Sequence, residues 1–313
     1  MAHRAAQQCH RYGLYGLLLE TPQPIPGLAP CSDLSPESME QPVQIAFGPV
    51  PKALACPEYQ DVAVQATGTA YLFSFPGVLR LFIEHGARIT VEPVEDCDPV
   101  LMWTLILGAG TSVVGFQRGH VPLHASAIQT GAGCFAFAGP SARGKSTLAG
   151  ALIERGFAFH ADDLCLTSPQ PAGGFRVGRG VPVLRLWDDA VDILGWAERT
   201  PVATFPNMPK SVYRQDWAEH AEQPLRRIYV LEFADAANPP GFYPVRGVDA
   251  LQTLLTCLRM RIGLLSTGDT ARNFERLTAI VREVEMVRFV RPNDKDQLHD
   301  WTERLADHIR HRA

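Results

Sequence analysis

The chain has 313 residues, of which 46% are hydrophobic and 20% charged, and its formal net charge is −4. This composition is typical of a folded chain with one large or two ordinary domains, and it excludes an intrinsically disordered protein. Because the charges are interspersed without a long basic run, neither nucleic acid nor a membrane is an expected partner.

The seven cysteines lie far apart in the sequence, and no two have C-x-x-C spacing. Neither a zinc knuckle nor a disulfide framework is therefore indicated. Scattered single thiols are typical of a reducing compartment, so we expect a cytoplasmic protein.

Residues 1–95 are expected to form a smaller, strand-rich N-terminal domain. Short β-type runs occur at 12–19, 43–47, 71–75, 78–83 and 89–92. Proline-bearing loops separate these runs, and no group of residues in this region suggests catalysis. The expected role of this domain is structural, or the docking of a peptide.

Residues 96–313 are expected to form a second domain of the α/β class, within a chain that is α+β overall. Its first element, 99–117, has no charged residue but contains several glycines, which favours a buried helix over a membrane span. Strands are expected at 134–138, 157–160, 164–167, 181–187, 228–233 and 286–290. A helix is expected at 145–155. Three more are expected where apolar residues repeat at helical spacing: Leu251, Leu254, Leu255 and Leu258; Phe274, Leu277 and Val281; and Leu298, Trp301 and Leu305.

The most informative motif is Gly139-Pro-Ser-Ala-Arg-Gly-Lys-Ser-Thr147, a complete match to the phosphate-binding pattern G-x-x-x-x-G-K-[ST]. Its glycines let backbone N–H groups turn toward a di- or triphosphate. Lys145 can reach the β- and γ-phosphate oxygens, and the Ser146 hydroxyl can bind Mg²⁺. Because a buried strand precedes the motif and a helix follows it, we expect an anion site at a helix N-terminus, with ATP and Mg²⁺ as cofactors. The expected nucleotide-binding residues are Gly139, Ser141, Ala142, Arg143, Gly144, Lys145, Ser146 and Thr147.

Two adjacent carboxylates, Asp162 and Asp163, follow the strand after the loop helix. One can hold Mg²⁺, directly or through water, and the other can take the proton from an attacking hydroxyl. Taken alone, an Asp-Asp pair is usually a solvated turn, and it is the position after the phosphate loop that indicates a site. His124 precedes the loop by one strand, where a lone histidine is more often a core or edge residue than a catalyst.

The three elements together resemble the catalytic domain of the HPr serine kinase/phosphorylase family. The resemblance rests on Leu-His124-Ala-Ser, the phosphate loop, and Gly156-Phe-Ala-Phe-His-Ala-Asp-Asp163, in this order. It implies a fold like that of phosphoenolpyruvate carboxykinase. It also implies that Asp162 is the catalytic base, with His124 beside it to hydrogen-bond or tune it, that Lys145 acts on the phosphates, and that Asp163 and Ser146 hold Mg²⁺. The family's downstream signature is reduced here to Arg179-Gly180, so neither the phosphorylase reaction nor HPr itself as substrate is implied.

Other segments are similar to the HPr-kinase-like proteins that act in lasso-peptide biosynthesis. These segments are Tyr12-Gly-Leu-Tyr-Gly-Leu, Pro24-Ile-Pro-Gly-Leu28, and the stretches 117–126 and 182–190. The similarity implies a kinase that phosphorylates the C-terminal serine of a precursor peptide. Arg185 and Lys210 are then candidates for contacting a phosphate or the peptide carboxylate.

Three other functions remain open from the sequence, and the first is an HPr-type protein serine kinase. The chain could be a phosphate-loop ATPase that drives a partner, with Glu232 at the end of the strand 228–233 near the metal and water. It could also be a regulatory module that binds nucleotide or peptide without catalysis. The sequence allows a homo-oligomer but does not specify one.

Overall fold

The protein is described from a computed structural model, which covers residues 9–31, 41–205, 208–217, 221–261 and 270–311. Contacts divide the chain into two compact units, Met1–His120 with Met260–Asn273, and Val121–Arg259 with Phe274–Ala313. The mixed α/β class expected from the sequence is confirmed, since both strands and helices are present throughout.

The first unit is built on an eight-stranded sheet. Its strands are β1 (His10–Leu14), β2 (Leu17–Thr21), β3 (Val43–Phe47), β4 (Tyr59–Gln60), β5 (Val64–Ala66), β6 (Ala70–Phe75), β7 (Leu79–Glu84) and β8 (Arg88–Pro93). Their order is β1-β2-β3-β8-β7-β6-β5-β4. β3 pairs in parallel with β2 and β8, and the other neighbours are antiparallel.

The expected single strand at 12–19 is wrong, because a hairpin occupies this segment. β1 and β2 are antiparallel and joined by Tyr15 and Gly16, both with positive φ (58° and 75°). A two-residue turn of this kind matches the twist of paired strands. The unbroken apolar run hid the turn because Tyr15 is itself buried, at 3% exposure.

A long helical segment follows the sheet: α1 (Pro99–Leu105), a π-helical stretch (Ile106–Gly110) and α2 (Thr111–Arg118). It begins at Asp98, whose carboxylate accepts hydrogen bonds from the N–H groups of Val100 and Leu101. Among the described residues, this is the one helical segment whose length and apolar composition would allow it to cross a membrane. In the structure, 72% of its most apolar window is buried inside the protein, as in a core helix.

This helical segment accounts for the difference between the expected domain boundary at residue 95 and the observed division of contacts. A Cβ at Gly110 would lie 3.1 Å from Cδ1 of Ile89 on β8. The glycine therefore allows the helix to approach the sheet closely, and the segment groups with the first unit.

Within the described residues, the second unit contains a nine-stranded sheet, a three-stranded sheet and five helices, of which the one at Thr270–Glu283 begins in the first unit. The strands are β9 (Val121–Leu123), β10 (Ala125–Thr130), β11 (Gly133–Ala138), β12 (Ala158–Ala161), β13 (Cys165–Pro169), β14 (Phe175–Gly178), β15 (Val183–Trp187), β16 (Ala203–Thr204), β17 (Lys210–Arg214), β18 (Glu222–Phe233), β19 (Gly241–Val245) and β20 (Glu285–Arg291). The helices are α3 (Lys145–Ile153), α4 (Asp188–Ile193), α5 (Gly247–Thr256), α6 (Thr270–Glu283) and α7 (Leu298–Arg310).

The larger sheet has the order β12-β10-β11-β18-β14-β13-β9, with β20 on β18 and β19 on β20. Its centre is parallel, because β18 pairs in parallel with both β11 and β20. A buried cluster joins Phe135 and Phe137 of β11 to Leu148 and Leu152 of α3 and to residues of α7. This core fixes the start of α3 at the end of the parallel strand β11. The smaller sheet has the order β15-β17-β16.

The three tail helices are confirmed, with two corrections within the predicted apolar stripes. Leu258 lies beyond the end of α5 at Thr256 and forms a bridge to Leu123 instead. Phe274 is 57% exposed, while Leu277 and Ile280 are buried. The buried face of α6 is therefore shifted along the helix from the one that the Phe274, Leu277 and Val281 spacing indicated.

Candidate functional site

The phosphate loop has the conformation that its glycines permit. It leaves β11 at Gly139, which has φ 142°, and enters α3 through Gly144, which has φ 77°. A Cβ at Gly139 would lie 3.2 Å from the carbonyl oxygen of Leu231 on β18, so the loop passes close to the neighbouring strand. Ala142 also has a positive φ of 63°, a strained conformation for a residue with a side chain. The loop is thereby held against the N-terminus of α3, whose first N–H groups have no partner within the helix.

Lys145 lies inside the loop. Its side chain is 7% exposed, and Nζ donates hydrogen bonds to the carbonyl oxygens of Gly139 and Pro140, each at 3.0 Å. Burial lowers the pKa of Lys145 to about 8, against the opposing charges of Asp162 and Asp163. The ammonium is thus held by weak carbonyl acceptors that phosphate oxygens can replace.

Asp162 connects the loop helix to the sheet. Its Oδ1 accepts hydrogen bonds from the hydroxyls of Ser146 and Ser126, each at 2.7 Å, and its Oδ2 accepts one from the backbone N–H of Arg185 at 3.0 Å. Ser126 is placed there by the antiparallel pairing of β10 with β12, in which Ala127 lies opposite Ala161. The side chain of Asp162 is held from three directions at the end of the phosphate loop.

Asp163 has different neighbours. Its φ of 70° turns the chain, and the pairing of β13 with β9 then begins with Cys165 opposite Leu123. This register places Asp163 beside His124 and Arg259: its Oδ1 lies 3.4 Å from His124 Nδ1 and 2.9 Å from Arg259 Nη1. Burial opposes ionisation of Asp163, but the hydrogen bond from His124 and the positive charges of Arg259 and Arg185 hold its pKa well below the ordinary value.

Of the two aspartates, the described contacts of His124 are with Asp163 and not with Asp162, where the resemblance placed a hydrogen bond. His124 lies in the break between β9 and β10, and its Nδ1 contacts the carboxylate and the carbonyl oxygen of Asp163 instead. The reason is the strand register, because β10 carries Ser126 to Asp162 while the end of β9 lies by Asp163. Sequence spacing alone cannot distinguish Asp162 from the adjacent Asp163 as the neighbour of His124.

Arg259 is a site residue that the sequence analysis missed. The segment 257–259 lies beside β9, where the N–H of His124 donates to the carbonyl of Cys257 at 2.7 Å and the N–H of Arg259 donates to the carbonyl of Pro122 at 2.9 Å. The Nε of Arg259 is buried and has no hydrogen-bond partner among the described residues. Arg259 follows an amphipathic helix with no surrounding motif, so no local signal identified it.

Of the other expected residues, some lie on the loop or contact the carboxylates, and Lys210 does neither. Ser141 and Ala142 are exposed on the loop, and the guanidinium of Arg143 lies 4.9 Å from the centre of the Phe233 ring. Arg185 reaches the carboxylates, through its backbone and its charge. Lys210 does not: its described side-chain contact is with Trp187 on β15, with which it also pairs, and its Nζ is 5.5 Å from the centre of that ring.

The carboxylates suit a magnesium ion. The contacts of Asp163 with Arg259 and His124 run through Oδ1, which leaves Oδ2 for a metal, and the Ser146 hydroxyl lies close to the same carboxylate pair through Asp162. Among the residues the structure describes, no group of three or more His, Cys, Asp or Glu side chains is arranged to hold a metal. Magnesium sites in phosphoryl-transfer enzymes commonly use one or two carboxylates and complete the shell with phosphate oxygens and water.

The comparisons with known proteins add little to this geometry. No family model matches the chain, and the search of curated proteins finds no significant match. The structure is similar to that of the Hpr(Ser) kinase/phosphatase from Coxiella burnetii, with 11% sequence identity and a TM-score of 0.32, over 61% of this chain and 99% of the other. At this TM-score the likeness establishes neither a shared fold nor a shared activity.

Proposed function

We propose that the protein is a kinase that transfers the γ-phosphoryl group of ATP to a hydroxyl. The observation that carries the proposal is the hydrogen bond from the Ser146 hydroxyl to Asp162 at 2.7 Å. It joins the metal-binding position of a phosphate loop to a buried carboxylate, 2% exposed, that no cation neutralises by direct contact among the described residues. A nucleotide-binding loop alone needs no such carboxylate, whereas phosphoryl transfer needs a group that positions and deprotonates the acceptor.

The two carboxylates differ in a way that supports separate roles. Asp163 is held ionised by Arg259 and His124, and a carboxylate with so low a pKa is a poor base but a good ligand for a cation. Asp162 is hydrogen-bonded by hydroxyls and a backbone N–H, which orient it without a direct ion pair. We assign Asp162 as the proton acceptor and Asp163, with Ser146, as the magnesium ligands.

The reaction then needs little more than positioning. Lys145 replaces its two loop carbonyls with phosphate oxygens, and Arg259 and Arg185 supply positive charge beside the carboxylates. The acceptor oxygen forms a bond to the γ-phosphorus as the bond to the β–γ bridging oxygen breaks, the proton passes to Asp162, and ADP leaves. Bound Mg²⁺ neutralises charge on the phosphate oxygens.

For the acceptor, we propose a serine hydroxyl of a peptide, such as the C-terminal serine of a lasso-peptide precursor. Support comes from the motif resemblance and from a strand-rich N-terminal region whose sheet edges suit the docking of an extended peptide. Incubation with Mg·ATP and such a peptide should add about 80 Da per phosphoryl group in the mass spectrum. The same peptide with serine replaced by alanine should gain nothing.

The ATPase alternative is disfavoured by one contact. Glu232, the residue it would need near the metal, forms a salt bridge to Nε of Arg288 at 2.8 Å. ATP hydrolysis at a rate that no peptide changes, with no phosphorylated product, would refute the kinase proposal and support the ATPase.

A further inference from the structure

A cavity of about 480 Å³ opens beside the phosphate loop. Gly144 and Thr147 form part of its wall, and the remainder includes Trp187, Phe233 and Arg291. None of Asp162, Asp163, His124 or Arg259 lines it. The cavity therefore borders the phosphate loop without including these site residues.

From this arrangement we infer that the cavity binds the nucleoside, base and ribose, of the nucleotide whose phosphates lie on the loop. This inference rests on the proposed function, to which it adds a location for the part of ATP that does not react. If the γ-phosphate lies at the carboxylates, the rest of the nucleotide would extend along the loop toward the cavity wall at Gly144 and Thr147. The cavity begins at that point, and its volume is in the range of pockets that hold molecules of nucleoside size.

Arg291 is the strongest single indication of a ligand in this cavity. It is 7% exposed, and its Nη2 donates to the carbonyl of Arg143 in the loop at 3.2 Å. Its Nε is buried and has no hydrogen-bond partner among the described residues. A buried cation with an unused donor beside the loop suits a phosphate oxygen, here the one nearest the nucleoside.

The walls suit an uncharged aromatic ring. Trp187 is 44% exposed although it is a large aromatic residue, and the guanidinium groups of Arg143 and Arg291 each lie 4.9 Å from the centre of the Phe233 ring. The remaining polar lining includes Asp188, Asp189 and Asp294. Asp189 is paired at 3.1 Å with Lys295, which also lines the cavity, and the other carboxylate oxygens can accept hydrogen bonds from ribose hydroxyls or an amino group of the base.

The test compares the affinity of the full chain for Mg·ATP with its affinity for magnesium and inorganic triphosphate, by titration calorimetry. Trp187→Ala should weaken binding of ATP about tenfold and leave binding of triphosphate within about twofold, because only ATP carries a base to stack. Trp187→Phe should restore most of the loss. Asn293→Trp, at an exposed position on the cavity wall, should weaken ATP selectively by filling the space, and it covers the case in which Trp187→Ala does not fold.

Lys145→Ala serves as the control, since it should weaken both ligands. Equal losses of ATP and triphosphate in the Trp187 and Asn293 variants, or no loss of either, would overturn the inference, as would a wild-type chain that binds ATP no more tightly than triphosphate. Failure of the kinase proposal looks different: ATP is still preferred over triphosphate and the variants still discriminate, but no peptide is phosphorylated.

Discussion

Replacement of Arg259 by glutamine should remove the positive charge of this side chain while it leaves the position of the backbone unchanged. The backbone contact of Arg259 with Pro122 does not involve the side chain, so the segment should stay beside β9. What disappears is the ion pair with Asp163 at 2.9 Å, and with it much of the positive charge that holds the pKa of this carboxyl low. Asp163 should then titrate nearer the ordinary aspartate range.

The magnitude follows from the distance and the exposure. At 2.9 Å and an effective dielectric constant of about 20, the gross attraction is about 6 kcal/mol. The two side chains are 28% and 24% exposed, and loss of hydration cancels most of this, which leaves about 2 kcal/mol. Transfer should fall by up to about 30-fold if the pair persists in the transition state.

Two assays check this prediction: peptide phosphorylation, and urea unfolding at about pH 7 and about pH 3. A depressed pKa stabilises the fold above the unfolded-state value, and this stability is lost as the pH falls through the folded-state value. The difference between wild type and Arg259→Gln should therefore be largest at about pH 7 and shrink in acid. Arg176→Gln, which breaks an exposed pair with Glu222, is the control and should cost less than about 1 kcal/mol. Equal, small effects of both variants on stability and transfer would refute the reasoning.

Three further predictions concern the loop and the carboxylates. Because the pKa of Lys145 is lowered to about 8, nucleotide binding above this pH should be accompanied by uptake of a proton, since bound phosphate stabilises the ammonium form of Lys145. Binding at about pH 6.5 should take up no proton at this residue. Calorimetry in buffers of different ionisation enthalpy measures the uptake, which should vanish in Lys145→Ala. Asp162→Asn should keep nucleotide affinity and lose phosphoryl transfer, whereas Asp163→Asn should raise the magnesium concentration needed for activity. If each variant shows the kinetic behaviour expected of the other, Asp163 is the proton acceptor and Asp162 the magnesium ligand. Gly144→Ala should lower the unfolding free energy by about 1–2 kcal/mol and weaken nucleotide binding, because φ is 77° and the new Cβ would lie 2.7 Å from Nη2 of Arg291. Gly131→Ala, with no atom within 4 Å of its Cβ position, should do neither.

Secondary structure could be predicted where the residues of a short segment are sufficient to specify its conformation. The parallel strand before the phosphate loop, the helix after it and the strand 286–290 are each specified by local apolar patterns and glycine positions, and the structure has all three. Prediction failed where the burial of a side chain in the folded protein differed from what the local pattern indicated. The hairpin turn at Tyr15 and Gly16 was hidden by a buried tyrosine, and the shifted face of α6 could be seen only once its packing was known.

For the site, the sequence by itself determined the chemistry of the loop, because a glycine, a lysine and a serine at fixed spacing bind phosphate and metal through local geometry. Only the tertiary structure decided which groups face each other. Strand register assigned Ser126 to Asp162 and His124 to Asp163, and a chain segment distant in sequence brought Arg259 to the carboxylates. Register and long-range packing are properties of the whole sheet. The local sequence around two residues therefore does not predict a contact between them that depends on register or long-range packing.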